Sequence, residues 1–191
     1  MRDFPIVEIG IREVATYSEF ADFAYRHIDR RGGQGAQQAF FFIHSFLAHC
    51  STVARLLWSP ELAAHARGRT IAQTLELPGN YHIDDDSVRE MLEHYDRRLA
   101  RGLAARGEVG KVLDFTLGDR DAFEEEFSVF LRHYDLSVDT LTLMEEELNL
   151  QKLWTEIDDI GARAKRWLEE NAVLAERPAF PSIPPLPGGE G

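Results

Sequence analysis

The strongest helix pattern in the motif region is Ser87-Val88-Arg89-Glu90-Met91-Leu92-Glu93-His94-Tyr95-Asp96-Arg97-Arg98-Leu99. Its apolar side chains recur at the spacing of one helix face, as Val88, Leu92, Tyr95 and Leu99. The acidic residues Asp84–Asp86 precede it, where negative charge favours the start of a helix. Ser87 and Glu90 also have the spacing of a capping box. The pattern therefore predicts an amphipathic helix from about residue 87 to about residue 105.

Four residues separate Arg89 from His94 in this predicted helix. The spacing resembles the signature of the HEPN superfamily (higher eukaryotes and prokaryotes nucleotide-binding domains), in which four to six residues separate an arginine from a histidine. The wider pattern, with Glu93 before the histidine and Asp96-Arg97 after it, is similar to that of bacterial proteins with a HEPN-like helical body. The resemblance covers roughly residues 15 to 107, and it is looser around Phe40–Trp58.

The resemblance implies a metal-independent endoribonuclease that needs no cofactor. His94 would act as acid and base on the ribose 2′-hydroxyl or the leaving oxygen, and Arg89 would stabilise phosphate charge. Histidine suits the first role because its pKa lies near neutral pH, and the planar guanidinium of arginine matches phosphate. Further binding residues at this site are Glu90, Tyr95, Arg97 and Arg98.

The spacing of Arg89 and His94 also bears on assembly. Five helical steps place the two side chains roughly 140° apart, so one straight helix does not easily aim both at one atom. An interface with two-fold symmetry brings two copies of each residue together. The resemblance implies this arrangement, a homodimer with the active site in the cleft between the two motif helices.

Departures from the family pattern favour a noncatalytic alternative. Glu90 stands where a small polar residue often follows the arginine, and Asp96 stands where the toxin branch commonly has a tyrosine. Carboxylates beside the site would repel a polyanion. Arg89 with Glu93 and Glu90 with His94 are also i,i+4 pairs that support a helix surface. The alternative is a noncatalytic helical interaction or RNA-binding protein with a degenerate motif. For either function, the candidate partners are a second copy of the chain, RNA and a regulatory protein.

The composition is that of a globular protein. The chain has 191 residues, of which 44% are hydrophobic and 28% charged, and this length fits one domain. The net charge of −12 argues against broad nonspecific binding to nucleic acid, which needs clustered basic residues. Two local arginine clusters are present, Arg97, Arg98, Arg101 and Arg106 in one, and Arg26, Arg30 and Arg31 in the other.

The chain shows no pattern typical of secretion or of a membrane protein. The N-terminus lacks the basic-then-apolar layout of a signal peptide. The apolar run Ala36–Trp58 is interrupted by polar residues, so no membrane span is predicted. The single cysteine, Cys50, has no intramolecular partner and is expected to be a buried thiol. These features predict a cytoplasmic protein of bacterial type.

A third functional class is a bundle that binds a metal ion or small ligand. His44 and His49 lie on one predicted helix, but their separation misses the i,i+4 spacing of a helical zinc pair. His82 and the acidic residues Asp84–Asp86 lack the spacing and glycine of an EF-hand loop. No metal site is therefore predicted.

The remaining segments predict a mostly α protein, an up-and-down helical bundle with a small β hairpin near residues 128 to 146. Residues 3–14 fit a short strand or an extended lead-in, and a first helix is predicted over 18–30 with Ser18 as its cap. Further helices are predicted over 34–57, over 61–65 and from the cap Asn149 onward. Residues 1–175 form one helical domain in this prediction, and the Pro/Gly-rich tail 176–191 is disordered or extended.

Overall fold

The computed structural model describes residues 4–29, 33, 35–84, 111–123, 128–143 and 146–172. This part of the chain is mostly helical, with a small amount of mixed β structure. Its α-helices are α1 (Phe4–Arg26), α2 (Ala36–Trp58), α3 (Leu62–Thr74) and α4 (Leu150–Asn171). The predicted Pro/Gly-rich tail and the segment of the Arg89/His94 motif lie outside the described residues.

Helix α1 starts much earlier than the sequence pattern indicated. It begins at Phe4, so the strand or extended lead-in predicted for residues 3–14 is wrong. The inward positions recur at helical spacing along its length, as Ile11, Val14, Ser18, Ala21 and Tyr25. Ser18 is therefore a buried mid-helix residue and not a cap. It faces Gly161 of α4 so closely that a Cβ on this glycine would lie 2.7 Å from the Ser18 Cβ.

The helices predicted over 34–57 and after Asn149 are confirmed. Helix α2 buries a broad apolar face, and the side chain of Asn149 accepts a 2.8 Å hydrogen bond from the backbone N–H of Lys152 at the start of α4. Helix α3 is longer than the predicted helix over 61–65. It runs through Gly68, whose lack of a side chain lets α3 approach the backbone carbonyl of Leu57. Glycine is typical of loops, but Gly68 is the residue at which α3 contacts α2.

Helix α1 packs antiparallel against both α2 and α4. The ring of His27 contacts Phe42 while Tyr17 contacts His49 further along, which sets the direction of α2. On the other side of α1, Trp154 Nε1 near the start of α4 donates to Asp22, and Lys165 near the end of α4 pairs with Glu19. Helix α4 therefore also runs in the direction opposite to α1. The main hydrophobic core lies between these helices, and it includes Cys50, which is fully buried as predicted.

Helix α2 has the length and the mean hydropathy of a membrane-spanning segment. More than half of its most apolar stretch, 56%, is nevertheless buried inside the protein. The core helix of a soluble protein meets the same criteria. The apolar character of α2 is therefore accounted for by its central place in the core, and a cytoplasmic location stays a prediction.

The predicted hairpin is confirmed as part of a larger β region. Strands β4 (Arg132–Asp135) and β5 (Thr140–Leu143) pair antiparallel, with Tyr134 opposite Leu141. Strand β6 (Glu146–Asn149) continues the antiparallel order, and β2 (Thr116–Leu117) adds in parallel to β4. Strands β1 (Lys111–Leu113) and β3 (Ser128–Phe130) form a separate parallel pair. A 3₁₀ turn, Arg120–Phe123, follows β2.

Candidate functional site

The site predicted from the sequence lies in a segment of which only the flanking residues are described. Arg89 and His94, with the binding residues Glu90, Tyr95, Arg97 and Arg98, all fall within residues 85–110, outside the described part of the chain. Their mutual arrangement therefore stays a prediction. The described structure shows instead how the chain is held just before and just after this segment.

A carboxylate of α4 fixes the chain immediately before the motif segment. The two oxygens of Glu156 accept hydrogen bonds from consecutive backbone N–H groups, at 2.7 Å from His82 and 2.9 Å from Ile83. These residues belong to a short 3₁₀ turn, His82–Asp84, and the Ile83 side chain is fully buried. Charge-assisted bonds of this kind are stronger than neutral ones. The entry to residues 85–110 is thus attached to the first half of α4.

A second polar group reinforces this attachment one turn along α4. The hydroxyl of Tyr81 donates to Asp159, which also accepts from Arg163 at 3.0 Å. Arg163 in turn donates to the backbone carbonyl of Glu76 at 2.9 Å. Burial and the bond to Asp159 raise the pKa of Tyr81, so its hydroxyl stays protonated and can donate. We define residues 76–84 with Glu156, Asp159 and Arg163 as the entry clamp.

Replacing Glu156 tests the entry clamp. We expect Glu156→Ala to lower the free energy of unfolding by about 2–3 kcal/mol, because two backbone N–H groups lose a charged acceptor. Chemical denaturation measures this loss, and Glu170→Ala on the exposed end of α4 is the matched control, with an expected change within about 0.5 kcal/mol. Equal stability of the two variants would show that the clamp contributes nothing to the fold.

The chain leaves the motif segment into β1, and an ion pair holds the following loop. Arg132 of β4 donates to both oxygens of Asp114, with Nε at 2.7 Å and Nη2 at 2.5 Å. Its guanidinium lies 3.6 Å from the centre of the Phe115 ring, and Phe115 has a left-handed backbone with φ 52°. Arg132 thereby lowers the pKa of Asp114.

The Asp114–Arg132 pair predicts a pH dependence of stability. Because the carboxyl pKa is lower in the folded state, its contribution is present above the unfolded pKa of about 3.9 and is lost as pH falls through the folded pKa. We expect Asp114→Asn to cost about 1 kcal/mol at neutral pH, and this difference from the parent protein to vanish in acid. Denaturant titrations of both proteins across pH measure it, and a difference that persists unchanged at acidic pH would contradict the ion-pair account.

The two histidines of α2 lie on different sides of the helix, as their spacing indicated. His44 contacts Phe40 and Phe115, whereas His49 contacts Tyr17 and Phe20 of α1. Burial lowers the pKa of each, so both are neutral at physiological pH. Within the described ranges, no three His, Cys, Asp or Glu side chains are grouped in a way that could hold a metal ion. Nothing here supports the His44/His49 metal hypothesis.

Three buried polar groups were not recognised from the sequence. Glu8 is fully buried in α1 and accepts from Arg12 Nε and Nη2 at 3.1 and 2.8 Å. Asp139 accepts from Tyr25 at 2.5 Å and from Tyr134, which joins α1 to the sheet. His133 is fully buried, and its Nδ1 lies 2.9 Å from the hydroxyl of Thr116. Of these three groups, only Glu8 could have been recognised from the sequence, because it is a charged residue on the inward side of an apolar helical stripe.

Arg12 also lines an open groove between α1 and α4. The groove has a volume of about 320 Å³ and carries basic and acidic side chains in equal number, with Arg12 and Lys165 beside Glu19 and Glu169. Its charges are already compensated in part, since Arg12 pairs with Glu8 and Lys165 pairs with Glu19. This balance does not select for an anion or a cation.

Comparison of the chain with models of known protein families found no match, and comparisons with curated proteins and with solved structures found none either.

Proposed function

We propose that the protein is a HEPN-like endoribonuclease that cleaves RNA without a metal ion at Arg89 and His94. The motif spacing on a predicted amphipathic helix supports this proposal. The described observation that supports it most directly is the entry clamp, in which Glu156 accepts two backbone N–H bonds just before the motif segment. Active sites need such support, because catalytic groups must be held in position by the rigid elements beneath them.

The architecture that belongs to this proposal is an up-and-down helical bundle in which residues 87–105 form a further long helix. The antiparallel packing of α1 with α2 and α4 is compatible with such a bundle. In this arrangement two copies of the chain contribute Arg89 and His94 to one cleft. Arg97 and Arg98 would contact RNA phosphates beyond the scissile bond.

The proposed reaction is an internal transfer at phosphorus. The ribose 2′-oxygen attacks the adjacent phosphate and loses its proton to a histidine, and the bond from phosphorus to the 5′-oxygen breaks. That leaving oxygen receives a proton from the second histidine of the cleft, so the products are a 2′,3′-cyclic phosphate and a 5′-hydroxyl. Arg89 stabilises the negative charge that develops on the phosphate oxygens.

The experiment that tests this function is cleavage of a mixed RNA pool by the purified full chain in EDTA. We expect cleavage of RNA and none of the same sequences with 2′-deoxyribose, since the attacking hydroxyl is then missing. The double variant Arg89→Ala/His94→Ala, purified in the same way, controls for contaminating nuclease. Equal cleavage by the parent protein and the double variant would refute the proposal.

A second candidate function is a noncatalytic interaction protein that keeps the helical body. The net charge of −12, together with Glu90 and Glu93 beside the motif, favours this candidate, because these charges weaken the attraction for a polyanion. It predicts background cleavage in the experiment above and no loss of folding in the double variant. A regulatory protein partner would then bind the body in place of RNA.

A further inference from the structure

Helix α1 carries a second apolar stripe on the side away from the core. Four large side chains are exposed there, Ile6 by 53%, Ile9 by 47%, Phe20 by 38% and Phe23 by 44%. With Glu13 and Thr16 between them, they follow the alternating three- and four-residue spacing that is typical of the seam between two paired helices. We call these six residues the outer stripe.

Aromatic contacts link the outer stripe to α2. The ring of Phe23 lies 4.1 Å from that of His27, which contacts Phe42 at 5.4 Å. Phe42 is itself buried and contacts Phe41 at 5.4 Å, and Phe41 is 67% exposed. The end of the outer stripe is therefore supported by the core of α2, and Phe41 is a separate exposed ring.

The outer stripe has the size of a weak protein interface. At roughly 200 Å² for a side chain of this size, the exposed parts of its four large residues amount to roughly 360 Å². Two copies of the stripe would bury roughly 700 Å² from these side chains alone, which is typical of a weak, concentration-dependent interface. A patch of this size on a monomer is commonly functional.

We propose that the outer stripe binds the same stripe of a second copy of this chain, with the two α1 helices antiparallel. The stripe is self-complementary in this direction, because its two halves mirror each other in sequence position. Ile6 of one copy then lies opposite Phe23 of the other, Ile9 opposite Phe20, and Glu13 opposite Thr16. Aliphatic residues thus lie opposite aromatic ones at both ends of the seam, polar pairs lie at its centre, and the arrangement closes with two-fold symmetry.

Charge favours the antiparallel arrangement over the parallel one. Parallel helices would place Glu13 against Glu13 at the centre of the seam, where like charges destabilise pairing. Antiparallel helices place Glu13 opposite Thr16 and avoid this repulsion. RNA is a poorer occupant, because Glu13 lies at the centre of the stripe in an already acidic chain.

The oligomeric state of the full chain and of a stripe variant tests this interface without RNA. Because the proposed catalytic cleft also needs two copies of the chain, the loss of the dimer in the stripe variant, and not the dimer itself, identifies the outer stripe as the interface. We expect a dimer in sedimentation velocity over a concentration series. Ile9→Asp/Phe23→Asp should raise its dissociation constant on the order of a hundredfold, because each copy would bury two unpaired charges. Leu62→Asp is the matched control, since Leu62 is 89% exposed on α3, away from the stripe.

Disulfide formation tests the antiparallel direction. A mixture of Ile6→Cys protein and Phe23→Cys protein should give a crosslinked heterodimer on oxidation, and neither protein alone should crosslink, since identical positions would be roughly 26 Å apart along the helices. The native thiol does not interfere, because Cys50 is fully buried.

Three results would overturn the proposal. One is a monomer at all concentrations, which leaves the stripe for another partner. Another is a dimer that survives Ile9→Asp/Phe23→Asp and so forms through a different surface. The last is crosslinking of Ile6→Cys protein with itself, which indicates parallel helices. Far-UV circular dichroism of each variant confirms that the fold is retained.

Discussion

The substitution His94→Ala is expected to lower the rate of RNA cleavage by about two to four orders of magnitude. In the proposed mechanism His94 of one copy removes a proton and His94 of the other copy supplies one, and the substitution removes both groups. Initial rates on a fluorescent RNA in EDTA, at equal protein concentrations, measure the effect. The rate of the parent protein should also fall in acid, because a protonated imidazole cannot accept the 2′-hydroxyl proton.

A second histidine provides the control for this substitution. His65 lies on α3, where its Nδ1 is 3.2 Å from the carbonyl oxygen of Ser59 and its Nε2 is 2.8 Å from Arg69. It has no role in the proposed site, so His65→Ala should cleave at the parental rate. If both alanine variants retained the parental rate, the nuclease activity would have to reside in other residues. If both lost it, the effect of His94→Ala would be attributable to the fold.

The substitution Asp139→Ala is expected to lower the free energy of unfolding by about 3–5 kcal/mol. Asp139 is buried and is the acceptor shared by the hydroxyls of Tyr25 and Tyr134, which are themselves buried. Its backbone is left-handed, with φ 52°, and alanine adopts this conformation at an added cost of about 1 kcal/mol. Chemical denaturation at neutral pH measures the loss.

Asp139→Asn separates the two contributions. Asparagine adopts the left-handed conformation more readily than alanine and keeps one acceptor oxygen, so its cost should be clearly smaller. Tyr25→Phe and Tyr134→Phe each remove one donor, and combining them with Asp139→Ala completes a double-mutant cycle. A loss below about 1 kcal/mol for Asp139→Ala would show that this carboxylate is not what joins α1 to the sheet.

Elements with one dominant periodicity were predictable from the sequence. Helices α2 and α4 are long, have a broad apolar face, and α4 begins at a residue typical of a cap, Asn149. The alternation in Thr140–Leu143 similarly predicted strand β5. Helix α1 was harder because it is apolar on two sides, so exposed Ile6 and Ile9 disguised the inward spacing of Ile11 and Val14.

The polar network around the candidate site could not be predicted, because it joins residues far apart in sequence. Glu156 contacts His82 and Ile83, and Tyr25 contacts Asp139 across 114 positions. No local pattern distinguishes these carboxylates from the exposed ones on the same helices. The Arg89/His94 motif has the opposite character, since its signal is entirely local and its arrangement with a second copy stays a prediction.

The antiparallel pairing of α1 with α4 has a consequence for biosynthesis. Helix α1 is translated well before α4, so Ser18 and Glu19 gain their contacts with Gly161 and Lys165 only after α4 has been made. The hydrophobic core between these two helices closes only at that stage. Until then the side of α1 that packs against α4 is open to solvent, and a nascent chain stalled before residue 150 should need chaperone protection to escape aggregation.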